Sequence, residues 1–187
     1  MITFSRVGVT TAVFLFAVLL ASPSRAGQGA SQTAAAPTLA GDLQKDWTAL
    51  KDTLVKLGGA MPAEKFSFKP KPELRTFAEQ LMHVATANVN FLRGIDPKIT
   101  PPTLPEKAAG KDEVLKALSD SFEFGSAVLK AQTDATLAKN VEGAPRFLGP
   151  STGARLVYRA MGHTWDEYGV MTVYLRLNDI VPPASQR

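Results

Sequence analysis

Between residues 39 and 178, apolar side chains recur every three or four positions in four long segments, and prolines occupy every gap between those segments. A repeat of this kind places the apolar residues in one stripe along a helix, which is stable in water only when another element covers it. Proline fixes φ and lacks an amide donor, so the gaps cannot continue the helices. The chain is therefore constrained to a set of amphipathic helices that bury their stripes against one another.

The first stripe is Leu43, Trp47, Leu50, Leu54 and Leu57, in a helix that starts at Leu39 and is expected to end at Gly58-Gly59. Residues 61–72 contain three prolines and read as an extended connection that tucks Phe66 and Phe68 against the domain. The second helix opens on Thr76-Phe77-Ala78-Glu79, a capping box in which hydroxyl and carboxylate each satisfy an orphan amide. It is expected to run to Arg93, with Phe77, Leu81, Val84, Asn88 and Phe91 in the core and His83 on the flank of that stripe. Residues 95–110 hold four prolines, and a connection of that length lets neighbouring helices run parallel. The third helix is expected from Asp112 to Lys139, its periodicity fading towards Leu137, and the fourth from an N-cap at Ser151 to Asn178. Gly162 and Gly169 each weaken that last helix by about 1 kcal/mol relative to alanine. No internal repeat and no strand pattern is present, so the expected fold class is all-α, a four-helix bundle with long crossover connections.

The N-terminal 26 residues read as an export signal: Arg6 in a short basic lead, an apolar run from Val7 to Ala21, and Ser24-Arg25-Ala26 as a small-residue cleavage site. That run is shorter than the roughly 20 residues that span a bilayer, and nothing later approaches it, so no membrane span is expected after cleavage. The chain has no Cys, which excludes a lipid-anchored start, disulfides and thiolate ligands. A periplasmic or secreted location is the expectation. Residues 27–38 read as a flexible leader, and residues 39–187 as one bundle domain. The full chain carries 21 basic and 17 acidic residues; the signal holds two of the basic ones, Arg6 and Arg25, so the net charge falls from +4 to +2 on cleavage. No Lys/Arg cluster is interleaved with aromatics, and no nucleic-acid partner is expected.

The stretch His163-Thr164-Trp165-Asp166-Glu167-Tyr168-Gly169 lies inside the last apolar helix. Positions 163 and 167 are one turn apart on one face. That face also carries Leu156, Ala160, Met171 and Tyr174 and should turn into the bundle, where an unpaired carboxylate is costly. Glu167 therefore needs a partner. The chain has only two histidines, His83 and His163, on the second and fourth helices. Two imidazoles and a carboxylate meeting in a bundle core can hold a divalent ion and leave positions open. Spacing alone leaves that reading beside a simpler one, a His–Glu hydrogen bond at a helix contact. Asp166, three residues from His163, competes with Glu167 but lies round on the other flank.

Two stretches, KFSFKPKPELRTFAEQLMHVATAN (residues 65–88) and HTWDEYGVMTVYLRLNDIVPPAS (residues 163–185), carry a resemblance to the DinB-like (DinB/YfiT) superfamily of bacterial four-helix bundles. The resemblance covers roughly residues 46–185 and implies a divalent-metal site, with zinc or nickel, built from one His on the second helix and a His-x-x-x-His pair on the fourth. The ligands fall on His83, His163 and Glu167, and at Glu167 the sequence departs from the pattern. Either the site keeps its metal with an oxygen ligand or it has decayed; carboxylates ligate zinc at about 2.0–2.2 Å, which favours retention. Two neutral His and one carboxylate leave a dication at net +1, and oxygen ligation makes iron(II) or manganese conceivable.

Relatives of this kind include thiol-dependent transferases and isomerases, but export argues against a cytosolic thiol cosubstrate. Two functions are carried forward: a metal-dependent hydrolase or transferase acting on a small-molecule substrate, with no catalytic group assigned beyond the ligands, or a non-catalytic metal-binding or scaffold bundle with a degenerate site. Gln80, Asn88 and Tyr168 are candidates to support the ligands from outside. Trp165 and Tyr168 are expected in the core. The resemblance also suggests a homodimer formed through an exposed helix face.

Overall fold

The structure, a computed structural model, describes residues 36–107 and 110–186. The export signal read in residues 1–26, and the leader up to residue 35, lie outside the described residues.

The first helix, α1 (Leu39–Ala60), starts at Thr38, whose hydroxyl accepts the Gly41 amide. A second acceptor comes from far along the chain: the Asp134 carboxylate takes the Leu39 and Ala40 amides at 3.2 and 2.8 Å. The glycine pair does not end this helix. It continues to Ala60, and Met61 turns extended because it precedes Pro62. Gly58 is instead a packing residue, since a Cβ there would lie 2.7 Å from Leu115 Cδ2.

The connection to α2 (Phe77–Leu92) buries Phe66 against Phe77 and packs Phe68 against Tyr174, as the sequence implies. It also helps cap α2, because the carbonyls of Phe68 and Phe66 accept the Phe77 and Ala78 amides. The capping box forms: Thr76 Oγ1 accepts the Glu79 amide at 3.1 Å, and Glu79 Oε2 accepts the Thr76 amide at 2.7 Å. The expected core positions Phe77, Leu81, Val84, Asn88 and Phe91 are all buried.

The third helix, α3 (Lys111–Lys130), stops nine residues before the expected Lys139. At Thr133 the backbone becomes extended and Thr133 and Thr136 bond each other's amides, a local alternative that outcompetes a fading apolar repeat. The result is a one-turn helix, α4 (Asp134–Leu137), which frees Asp134 to cap α1. The last helix, α5 (Gly153–Arg176), is capped by Thr152 and not by the expected Ser151. The Ser151 hydroxyl donates to Gly149 O and accepts from Arg155. Among the described residues there is no strand, only an isolated bridge between Asn140 and Thr152, and no helix is long and apolar enough to cross a membrane.

The fold is an all-α bundle in which α1 and α2 each pack against both α3 and α5. Cross-helix contacts set the directions. Trp47 donates to Phe122 O while Lys111 reaches the carbonyls of Gly59 and Met61, so α1 and α3 are antiparallel. Asn88 meets Ser121, and Leu92 lies by Gly125, so α2 and α3 are parallel, which the long connection between them permits. Thr164 meets Asn88 and Tyr174 meets Arg75, so α5 runs antiparallel to α2. Trp47, Leu50, Leu54, Leu57, Leu81, Leu118, Phe122 and Leu175 form the fully buried centre.

Glycines separate the packed from the open faces. A Cβ at Gly125 would lie 2.6 Å from Trp47 Cε2 and 2.9 Å from Leu92 Cδ1, whereas at Gly162 it would meet nothing within 4 Å. Gly125→Ala is expected to cost about 1–3 kcal/mol through overpacking. Gly162→Ala is expected to add roughly 0.5–1 kcal/mol through helix propensity. Urea unfolding midpoints check both signs.

Candidate metal centre

His83 sits one step off the buried stripe of α2, so its ring emerges on the side that faces α5. On α5, His163 and Glu167 are one turn apart, and the expected neighbours Leu156, Ala160, Met171 and Tyr174 are all buried. The three groups meet. His83 Nε2 lies 3.1 Å from His163 Nε2, and Glu167 Oε1 lies 3.5 Å from the first and 3.7 Å from the second. Among the described residues this is the one group of three or more His, Asp or Glu side chains with ligand atoms so close together.

Burial is uneven across the group: the Glu167 side chain is 10% exposed, His163 23% and His83 33%. The carboxylate is thus the inner member and the imidazoles form the rim. An open cleft of about 730 Å³ reaches His83, and a smaller one of about 550 Å³ reaches Glu167; Glu73, Leu74 and Arg75 line both. A depression of about 800 Å³ around residues 93–97 and 131–143 is lined by none of the three.

The electrostatics follow from this placement. Burial pushes the Glu167 carboxyl above its ordinary value, the charges of His163 and Arg75 pull it back, and Asp166 adds to the rise. Burial also lowers the His83 imidazole, assisted by the positive charges of Arg75 and His163. Tyr174 is raised by burial first and by Glu167 second. A buried carboxyl that resists ionisation beside an imidazole that resists protonation is a pair that burial keeps neutral.

Does the group fit a metal ion? The three ligand atoms form a triangle with a point about 2 Å from each, the length of metal–imidazole and metal–carboxylate bonds, about 2.0–2.2 Å. Glu167 Oε2 is buried with no hydrogen-bond partner, so no protein donor offsets the cost of burying the ionised carboxylate there, and a cation beside Oε1 would offset it through charge. The donor set of two nitrogens and one oxygen suits zinc, nickel, iron(II) or manganese. His163 Nδ1 is also buried without a partner, so that ring is oriented by packing against Phe91 and by its Nε2 contact with His83 and not through Nδ1.

The other residues singled out from the sequence take different places. Asp166 is exposed on the far flank. Asn88 is fully buried but away from the ligand atoms, accepting from Thr164 and donating to Ser121. Gln80 accepts from Arg75 at 3.3 Å and lines the cleft that reaches Glu167. Tyr168 packs on the core, but Trp165 is 47% exposed and stacks edge-on against Tyr168, so its expected core placement is corrected. Arg75 was not singled out; nothing in its spacing marks it, because it precedes α2 and only the folded connection brings it to the clefts.

An all-α bundle with a His-His-carboxylate group between two helices defines the class of protein. The sequence profile of the DinB superfamily matches residues 44–171, and the chain belongs to that superfamily. Two solved structures share the fold. A DinB-like protein from Bacillus subtilis is 20% identical, with a TM-score of 0.62 over 78% of this chain and 99% of that one. A DinB-like protein from Bacillus cereus is 18% identical, with a TM-score of 0.65 over 78% of this chain and 96% of that one. No curated protein matches the sequence.

The raised Glu167 carboxyl has a sign that can be checked in metal-free protein. A group whose folded-state pKa is raised stabilises the fold below its unfolded value, here 4.5, and that contribution is lost as pH rises through the folded-state value. Glu167→Gln removes the loss. In chelator, its Tm relative to wild type is expected to climb as pH increases above 4.5; a difference that shrinks over that range contradicts the assignment.

Proposed function

We propose that this DinB-superfamily chain is an exported divalent-metal protein that hydrolyses a small-molecule substrate, with His83, His163 and Glu167 as the metal ligands. The observation that carries the reading is the openness of the group. Three ligand atoms converge within bonding reach of one point while both imidazoles stay partly exposed and clefts approach from two sides. A purely structural ion is normally enclosed by four protein ligands, whereas three ligands and an open side belong to catalytic sites.

The chain's own residues have separable tasks. His83 and His163 supply neutral nitrogens, which the lowered His83 value favours at neutral pH. Glu167 supplies the single negative charge from the inner wall, and α2 and α5 hold donors and acceptor in place. When bound, a divalent ion supplies Lewis acidity towards a substrate oxygen and activates water near neutral pH. Zinc or nickel is favoured by the imidazoles, and iron(II) or manganese is compatible with the oxygen ligand. Hydrolysis is preferred to thiol transfer because the signal-like N-terminus supports a periplasmic or secreted location. The alternative, a metal-binding bundle without turnover, draws on the exposure of Asp166, which leaves Glu167 as the one carboxylate within the ligand group among the described residues.

Element analysis of untagged mature protein tests the reading. About one equivalent of a divalent metal is expected in wild type, with loss in His83→Ala, His163→Ala and Glu167→Ala and retention in Asp166→Ala. A metal-free wild type after growth in replete medium sinks it.

A further inference from the structure

We propose that Arg75 is the substrate-recognition residue of this centre and that the substrate carries a carboxylate in addition to the group that meets the metal. The inference rests on the metal reading above and extends it to a substrate class.

Arg75 lies in the wall shared by both clefts, one reaching His83 and the other Glu167. Its backbone is clamped: the Tyr174 hydroxyl on α5 donates to Arg75 O at 3.0 Å, and the next residue, Thr76, is the N-cap of α2. The guanidinium donates from Nη1 to Oε1 of buried Gln80, a neutral partner that aims it without neutralising it. No carboxylate pairs with it among the described residues. Glu79, four positions on, is held by the Thr76 amide. Glu73 lines both clefts without reaching ion-pair distance. Arg75 therefore presents an oriented fork with donors to spare, the geometry that binds carboxylates bidentately.

Charge points the same way. With a dication on two neutral imidazoles and one carboxylate, the centre and Arg75 together carry about +2. Lys69 adds one positive charge to the lining of the first cleft and Glu73, Glu79 and Glu106 temper the surplus there, so one carboxylate suits the clefts better than a dianion.

Cobalt(II)-loaded protein and two hydroxamate probes test the assignment. Acetohydroxamate offers only a metal-binding head; succinic monohydroxamate adds a carboxylate. Titration followed in the cobalt spectrum should show wild type binding the carboxylate probe roughly tenfold more tightly. In Arg75→Gln the preference should fall to about twofold or less, with affinity for cobalt and acetohydroxamate unchanged; Lys69→Gln, which removes another cation lining the first cleft, should keep it. If wild type binds no cobalt, the metal reading fails and this inference with it. If cobalt binds but the preference is absent, survives in Arg75→Gln, or disappears equally in Lys69→Gln, the role of Arg75 alone is overturned. Loss of cobalt from Arg75→Gln would likewise overturn it, by assigning Arg75 to holding the centre.

Discussion

A buried amide sets the register on which everything else stands. Asn88 is fully buried on α2, and such a group is costly unless its hydrogen bonds are made. Its oxygen takes the Thr164 hydroxyl of α5 at 3.1 Å, and its nitrogen reaches Ser121 on α3 at 3.3 Å. The Ser121 hydroxyl in turn donates to Leu118 O. Sliding α5 by one turn, about 5.4 Å, would break this chain of bonds, so apolar stripes that could pack in several registers are held in one. Thr164 is the neighbour of His163, and Asn88 follows His83 by little more than a turn. The same register brings the two imidazoles within 3.1 Å of each other.

The centre then opposes the bundle that carries it. A carboxylate at the inner wall, with one oxygen lacking a partner, is a liability in a core otherwise filled by Leu, Phe and Met. Burial drives Glu167 and His83 towards their neutral forms while the charges of His163 and Arg75 pull the Glu167 carboxyl back towards ionisation, and a cation held between them would favour the ionised carboxylate. Sites that hold function commonly keep such conflicts, and the surrounding structure must overcome them. Here it does so through the Trp47–Phe122 contact, the Phe66–Phe77–Tyr174 cluster that roofs the start of α2, and Asp134 at the start of α1.

Much of this was legible in the residues, for identifiable reasons. The α2 capping box and its buried stripe depend on neighbours within one or two turns, and both appear where the pattern puts them. The shared face of His163 and Glu167 is a matter of helical geometry alone. Their meeting with His83 is not, because periodicity says which face is buried but not which helix covers it; there the family resemblance carried the expectation. The misreadings have the same origin. Gly58-Gly59 looks like a terminator until Leu115 is seen to need the space, and α3 looks longer than it is until Thr133 and Asp134 are seen to serve α1. The placement of Arg75 was invisible because its backbone is held by Tyr174, 99 residues away.

X-ray absorption at the edge of the metal that co-purifies with the mature protein tests the central claim most directly. The account predicts scattering from two imidazole rings together with oxygen at about 2.0–2.2 Å, and from one ring after His83→Ala in whatever metal remains. An ion surrounded by oxygen alone, or a spectrum unchanged by His83→Ala, would contradict it.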